Sequence, residues 1–216
     1  MSDRFAVTKT NRVRQLKDKA DYDTETVHRI LDAGIVAHVA FIQDGEPVVV
    51  PMIYGRQGNT IYLHGARKAR VIRLLEQTER ACMNVTLLDG IVYARSVFNS
   101  SMNYRSLMVL GTATLVSDDA EKKRGLDILV EHLLPGRLAD LRPSTRKEIN
   151  ATTLLSLPLE TWSIKVGKGP PDDTRSDIKT PIWAGVVPLK LKAGKPQAAP
   201  DMVPGMPLPD YLKNLD

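Results

Sequence analysis

The chain has 216 residues, 43% hydrophobic and 25% charged, which is ordinary composition for one generous or two small globular domains. Its formal net charge of +5 is confined to residues 4–19, where Arg4, Lys9, Arg12, Arg14, Lys17 and Lys19 face only Asp18. The rest of the chain is balanced, so the composition argues against a nucleic-acid partner. A single cysteine, Cys82, excludes an intrachain disulfide. With no apolar run of about 18 residues and no apolar block of a secretory signal, the reading is a cytoplasmic protein with no membrane partner.

Residues 1–22 read as a solvated basic arm. "DTETVHRILDAG" then specifies a short amphipathic helix, with Asp23 or Thr24 as cap, Val27, Ile30 and Leu31 on one face and Gly34 as stop. Three β-type runs follow at 35–42, 46–54 and 60–65, separated by the turn signals "QDG" and "RQGN". A helix is predicted over 66–77, then strands "RACMNVTLLDG" and "IVYARSVF" joined by a hairpin turn at Asp89-Gly90, and a long strand over 104–116 with a bulge at Gly111. The strongest helix signal starts at Asp118, with Glu121 completing a capping box, and presents Leu126, Leu129, Val130, Leu133 and Leu134 as a stripe before Pro135-Gly136. A short helix near 144–150, strands in "TTLLSLPL", "WSIKVGK" and "IWAGVVPL", and a polyproline-type tail with five prolines in residues 192–210 complete the chain. The sum is a mainly β, α+β domain over 23–190, an antiparallel barrel of about six core strands, with a Pro-rich tail over 191–216.

The four histidines, His28, His38, His64 and His132, lack metal-type spacing, and neither a Walker loop, a dinucleotide fingerprint nor a Gly-x-Ser-x-Gly elbow occurs. Chemistry in such a chain falls to a bound organic cofactor. "YLHGARKARVIRLL" at 62–75 places Arg67, Lys68, Arg70 and Arg73 at the amino end of a helix, where cations are unfavourable unless an anion sits beside them. With Gly65 permitting close backbone approach and helix N–H groups free, the turn from His64 through Ala66 to Lys68 is a phosphate seat. "NSSMNYRS" at 99–106 adds a second polar cluster around Arg105 and Ser106.

These residues resemble the flavin-binding split-barrel superfamily that includes pyridoxamine 5'-phosphate oxidase, and within it the branch of Nim-type nitroimidazole reductases and related flavin-nucleotide-binding proteins. "YLHGARKA" is similar to the strand-turn-helix phosphate site with its "SRKA" core, so Arg67 and Lys68 match the phosphate-binding pair and Ala66 replaces a serine. "MNYRSLMVLGTA" resembles the flavin-facing "RQVR...G" strand, with Arg105, Ser106 and Gly111 at matching positions. "IWAG" resembles "FWQG", with Trp183 at the tryptophan that approaches the cofactor from the other subunit. The terminal "RLHDR" substrate signature is replaced by "VVPLKLK", so the resemblance does not imply pyridoxamine phosphate oxidation.

The resemblance implies a homodimer with FMN at the subunit interface, acting as an oxidoreductase on a small organic molecule with NAD(P)H as a donor. It implies that Pro51, Met52 and Ile53 run along the flavin ring and that His64 is the catalytic residue at the substrate side. A non-catalytic flavin carrier or sensor stays open as an alternative, as does a haem protein on the same fold. For the latter, His38 on a barrel strand is the residue of interest.

Overall fold

The computed structural model describes residues 6–78 and 80–213. The first half of the chain gives β1 (Ala20–Asp21), α1 (Thr24–Ala33), β2 (Val36–Gln43), β3 (Glu46–Gln57), β4 (Thr60–Ala66), α2 (Arg70–Gln77), β5 (Ala81–Tyr93) and β6 (Ser101–Gly111). The second half gives β7 (Thr114–Leu115), α3 (Asp119–Leu133), α4 (Arg146–Ala151), β8 (Thr152–Pro158), β9 (Trp162–Gly167) and β10 (Gly185–Pro188). All described strand pairs are antiparallel, in the order β1-β9-β6-β5-β2-β3-β4-β8-β7, and β10 lies beside β5.

The sheet curls on itself. Trp162 and Ile164 of β9, near one end of the strand order, share a buried core with Leu155 and Leu157 of β8 near the other. That core takes alternate residues of each strand, such as Ala37, Val39 and Phe41 of β2 and Met83 and Val85 of β5, as period-2 patterning dictates. Val27, Ile30 and Leu31 of α1 and Ile72 and Leu75 of α2 plug its openings. Each such side chain contributes roughly 1.5–3 kcal/mol by leaving water. A second cluster, Tyr62, Val116, Leu129 and Leu154, forms where α3 packs on the outer face of β4 and β8.

The mainly β barrel class matches expectation, but ten strands replace about six. Several local signals resolve differently. Residues 1–5 of the expected arm lie outside the described residues, and most of residues 6–18 are exposed, but the segment is anchored at points: Asn11 is buried, the Val13 N–H donates to Tyr22 Oη at 2.9 Å, and β1 pairs with β9. Asp89-Gly90 is not a hairpin turn. Strand β5 runs straight through it because β6 holds one edge and β10 the other, and the extra residue becomes a bulge between Leu88 and Gly90. Gly111 ends β6 rather than bulging within it, and the chain then crosses to pair β7 with β8.

Helix ends are also informative. At α3, Asp118 accepts from the Glu121 N–H at 2.7 Å, while the reciprocal capping box forms at α4 between Thr145 and Glu148. Leu129 is buried, but Leu134 is the C-cap residue, lies outside the helix and is exposed. Helix α2 starts at Arg70, not 66, since Arg67 donates its N–H to Ala151 O (2.9 Å) and Ala69 to Ala66 O (2.8 Å), closing a turn first.

Gly55 marks the closest approach of α3 to β3. A Cβ there would lie 3.0 Å from Leu129 N and Cα and 3.1 Å from Ile128 C, all backbone atoms that have nowhere to retreat. Gly55→Ala is therefore expected to cost about 1–3 kcal/mol, read as a lowered urea midpoint with unchanged slope. An unaltered midpoint would mean that α3 is not held against β3 at this distance.

Candidate functional site

Strand β3 changes partner along its length. Residues 46–53 pair with β2, ending at Ile53↔Val36, and residues 54–57 pair with β4, starting at Tyr54↔Leu63. Before Tyr54, no strand is laddered to the β4-side edge of β3 among the described residues, so the two halves of the sheet part at this point. Pro51, Met52 and Ile53 line the open edge, and Pro51 has no N–H to leave unpaired. Across the gap, β4 continues as His64, Gly65 and Ala66, paired instead with Leu154, Thr153 and Thr152 of β8.

At the end of β4 the four cations emerge together. Arg67 and Lys68 occupy the turn and Arg70 and Arg73 the first turn of α2, and all four are exposed. None forms an ion pair with a carboxylate among the described residues. The cap position is Ala69, whose side chain cannot accept a hydrogen bond, so the first N–H groups of α2 are left uncapped. Gly65 is required by packing: a Cβ would lie 2.7 Å from Ile72 Cγ1, the residue that seats α2 on the core. His64, just before this turn, is half-buried, and its Nδ1 is buried with no hydrogen-bond partner, an orphaned polar atom. Burial pushes its imidazole below its ordinary pKa, favouring the neutral ring.

Arg105 and Ser106 do not join this turn. Arg105 donates from Nε (2.9 Å) and Nη2 (2.7 Å) to the two carboxylate oxygens of Asp89, so the bulge residue neutralises it. Ser106 lies on the outer face with Asn84 and Thr86. Asn84 Nδ2 donates to Ser106 Oγ (3.2 Å) and Leu107 O (3.1 Å), and Thr86 Oγ1 donates to Asn84 Oδ1 (2.9 Å). Directly across from Asn84 stands His38, exposed on the outer face and opposite Pro51 on its other side. Sequence reasoning missed Asp89 as a partner for Arg105 because Asp-Gly reads as a turn. The Asn84-x-Thr86 alternation was the available signal for the polar cluster.

Trp183 sits just ahead of β10. It stands edge-on to Tyr93 (centroids 5.9 Å apart), at the end of β5 opposite the stretch that pairs with β2, and is 68% exposed. The loop that carries it is pinned by Asp173, which accepts from Arg95 N (2.9 Å) and Nη1 (2.8 Å). No group of His, Cys, Asp and Glu residues that could hold a metal ion occurs among the described residues, and no described helix is long and apolar enough to cross a membrane.

Residues 23–166 match the family model of pyridoxamine 5'-phosphate oxidase. Among solved structures, the chain is 40% identical to the flavocytochrome Anf3 from Azotobacter vinelandii, with 97% of each chain covered and a TM-score of 0.91. It is 42% identical to an FAD- and haem-binding protein from Mycobacterium smegmatis, over 89% of this chain and 95% of that one, with a TM-score of 0.86. A protein from Bacteroides thetaiotaomicron assigned to 5-nitroimidazole antibiotic resistance shares the fold at 24% identity and a TM-score of 0.58, over 68% of this chain and 86% of that one. No curated protein matches the chain.

The environment of His64 has a pH signature. Its pKa is lower folded than unfolded, so the unfolded chain binds the extra proton and stability falls as pH drops below the ordinary imidazole value. His64→Gln is expected to flatten the dependence of the denaturation midpoint on pH between about 7 and 5. An identical slope in the variant would place the buried, neutral histidine elsewhere.

Proposed function

The chain belongs to the pyridoxamine 5'-phosphate oxidase family, and we propose that this member is a flavin- and haem-binding oxidoreductase that relays electrons between the two groups. The observation that carries the reading is the corner formed by the open edge of β3 and the β4–α2 turn. There, within a few residues of chain, an orphaned imidazole nitrogen is followed by unpaired cations and uncapped helix N–H groups. The donor set fits a flavin. Arg67 and Lys68 would hold the ribityl phosphate that FMN and FAD share, with the α2 N–H groups completing the cradle. The Met52 and Ile53 peptide groups would meet the polar edge of the ring, and His64 its substrate side.

Four free cations exceed the charge of one phosphate. Arg70 and Arg73 are available for a second, which together with the FAD content of the 42% identical mycobacterial protein favours the dinucleotide over FMN. The chemistry that a flavin would supply here is two-electron uptake from a donor such as reduced nicotinamide and one-electron release. The chain's own contribution would be to seat the phosphate, exclude water from the gap beside β3 and present the His64 ring in its neutral form. The haem half of the reading draws on Anf3, a flavocytochrome, and on the mycobacterial protein. We also place the site at the interface of a homodimer: Val36, Ile42 and Val49 are exposed on the outer face of β2 and β3. Trp183, exposed just ahead of β10, would serve the seat of a second copy.

The visible spectrum of the purified protein, with chromatographic identification of what denaturation releases, tests the cofactors. Removing both Arg67 and Lys68 as alanines is expected to weaken flavin binding about a hundredfold or more, since each charge-assisted contact contributes roughly 1.5–3 kcal/mol. A double variant that keeps its flavin would move the phosphate seat away from this turn. Flavin that reduced nicotinamide cannot bleach would favour a carrier over an enzyme.

A further inference from the structure

Residues 168–184, between β9 and β10, form a long connection that is held at two points. Asn103 Nδ2 donates to Gly169 O at 3.0 Å. Asp173, whose side chain is only 2% exposed, accepts from Arg95 N at 2.9 Å and from Arg95 Nη1 at 2.8 Å. Where the connection meets the chain just past β5, it encloses an open cavity of about 390 Å³, lined by Arg95, Asp172, Asp173, Ile178, Ala184 and Gly185 with two prolines. A cavity of that size, fixed in advance by these bonds, suits a small organic molecule or one end of a larger one.

The polar groups of the cavity have bonding capacity to spare. Arg95 spends Nη1 on Asp173, but its Nε is buried without a partner, and its Nη2 makes no hydrogen bond among the described residues. Asp172 is exposed and has neither an ion pair nor a hydrogen bond among the described residues. Arg95 and Asp173 cancel each other's charge and Asp172 adds a negative one, so the cavity itself does not suit an anion. A free guanidinium donor and a free carboxylate in one cavity are what a primary carboxamide answers, its oxygen accepting from Arg95 and its NH₂ donating to Asp172. Ile178, Ala184 and Pro171 supply the apolar wall that a flat ring needs.

The cavity also adjoins Trp183. The indole folds back over Gly185, where a Cβ would lie 3.1 Å from Trp183 Cη2 and Cζ2, and Gly185 is part of the cavity lining. Whichever flavin seat Trp183 serves, the cavity comes with it.

We infer that this cavity docks the ring of a reduced nicotinamide dinucleotide, with the carboxamide between Arg95 and Asp172. The inference rests on the flavin reading and on Trp183 serving a seat, and it goes beyond them by naming where the electron donor binds. The phosphates of the dinucleotide then run out along the same connection, where Arg175 and Lys179 are exposed and form no ion pair among the described residues.

The test uses the full-length, flavin-loaded protein and two readouts. Calorimetric titration with oxidised nicotinamide adenine dinucleotide measures binding without turnover, and stopped-flow absorbance measures flavin reduction by NADH. Asp172→Ala and the cavity-filling Ala184→Leu are each expected to raise the Kd of the oxidised probe at least tenfold, and the NADH concentration for half-maximal reduction by a similar factor, with flavin content unchanged. Asp172→Asn keeps an acceptor oxygen and should lose less. ADP-ribose, which lacks the ring, should bind wild type and Asp172→Ala alike. An unchanged Kd in both Asp172→Ala and Ala184→Leu would overturn the assignment and leave the flavin reading standing, as would a flavin-loaded wild type that binds no probe. Probe binding that Ala184→Leu removes in a protein that takes up no flavin would keep the cavity as a nicotinamide site and sink the flavin reading instead.

Discussion

Strand β3 cannot be laddered on both edges over its whole twelve residues, because β2 and β4 hold successive halves of it and diverge at Ile53 and Tyr54. The point of divergence is locked from inside. Tyr54 is fully buried, and its hydroxyl lies 2.7 Å from Leu31 O and 3.0 Å from Gly34 O at the end of α1. His132 of α3 reaches the same Gly34 carbonyl and packs on the Tyr54 ring. Burial raises the tyrosine's pKa, keeping it protonated and able to donate. Two helices and a strand thus meet at one buried side chain, and the open edge of β3 follows from that junction.

Charge then decides what the opening is for. The chain has many arginines, but the structure divides them by partner. Arg95 and Arg105 hold Asp173 and Asp89 in bidentate or near-bidentate geometry and stabilise loops and bulges. Arg56 does the same for Asp32. The group at 67–73 has no such carboxylate among the described residues, and it stands at the uncapped amino end of α2. Cations concentrated against a positive helix terminus are a local electrostatic cost that an anion would offset.

This division was only half legible in the sequence. "HGARKA" announced its chemistry because glycine, adjacent bases and a helix start coincide locally, and α1 and α3 were legible from their apolar spacing. Arg105 looked equivalent to Arg67, since nothing local reveals a partner sixteen residues back that becomes available only when Asp89 bulges. The Asp-Gly signal failed for the same reason: long-range pairing by β6 and β10 overrides a local turn preference. Strand β1 was hidden as well, since two residues paired with β9 leave no periodicity to read.

The outer sheet face shows how a surface destined for cover differs from one that meets water. Solvent-facing polar side chains need no internal partners, because water supplies them. Asn84, Thr86 and Ser106 instead satisfy one another, along with the Leu107 carbonyl, in a closed network set among Val36, Val49, Met108 and Leu110. Such self-satisfaction is what burial demands of polar groups, since an unpaired one there costs about 1–3 kcal/mol. The network is already complete in the single chain, so a second copy of the chain can cover this face with only the His38 imidazole left to find a partner.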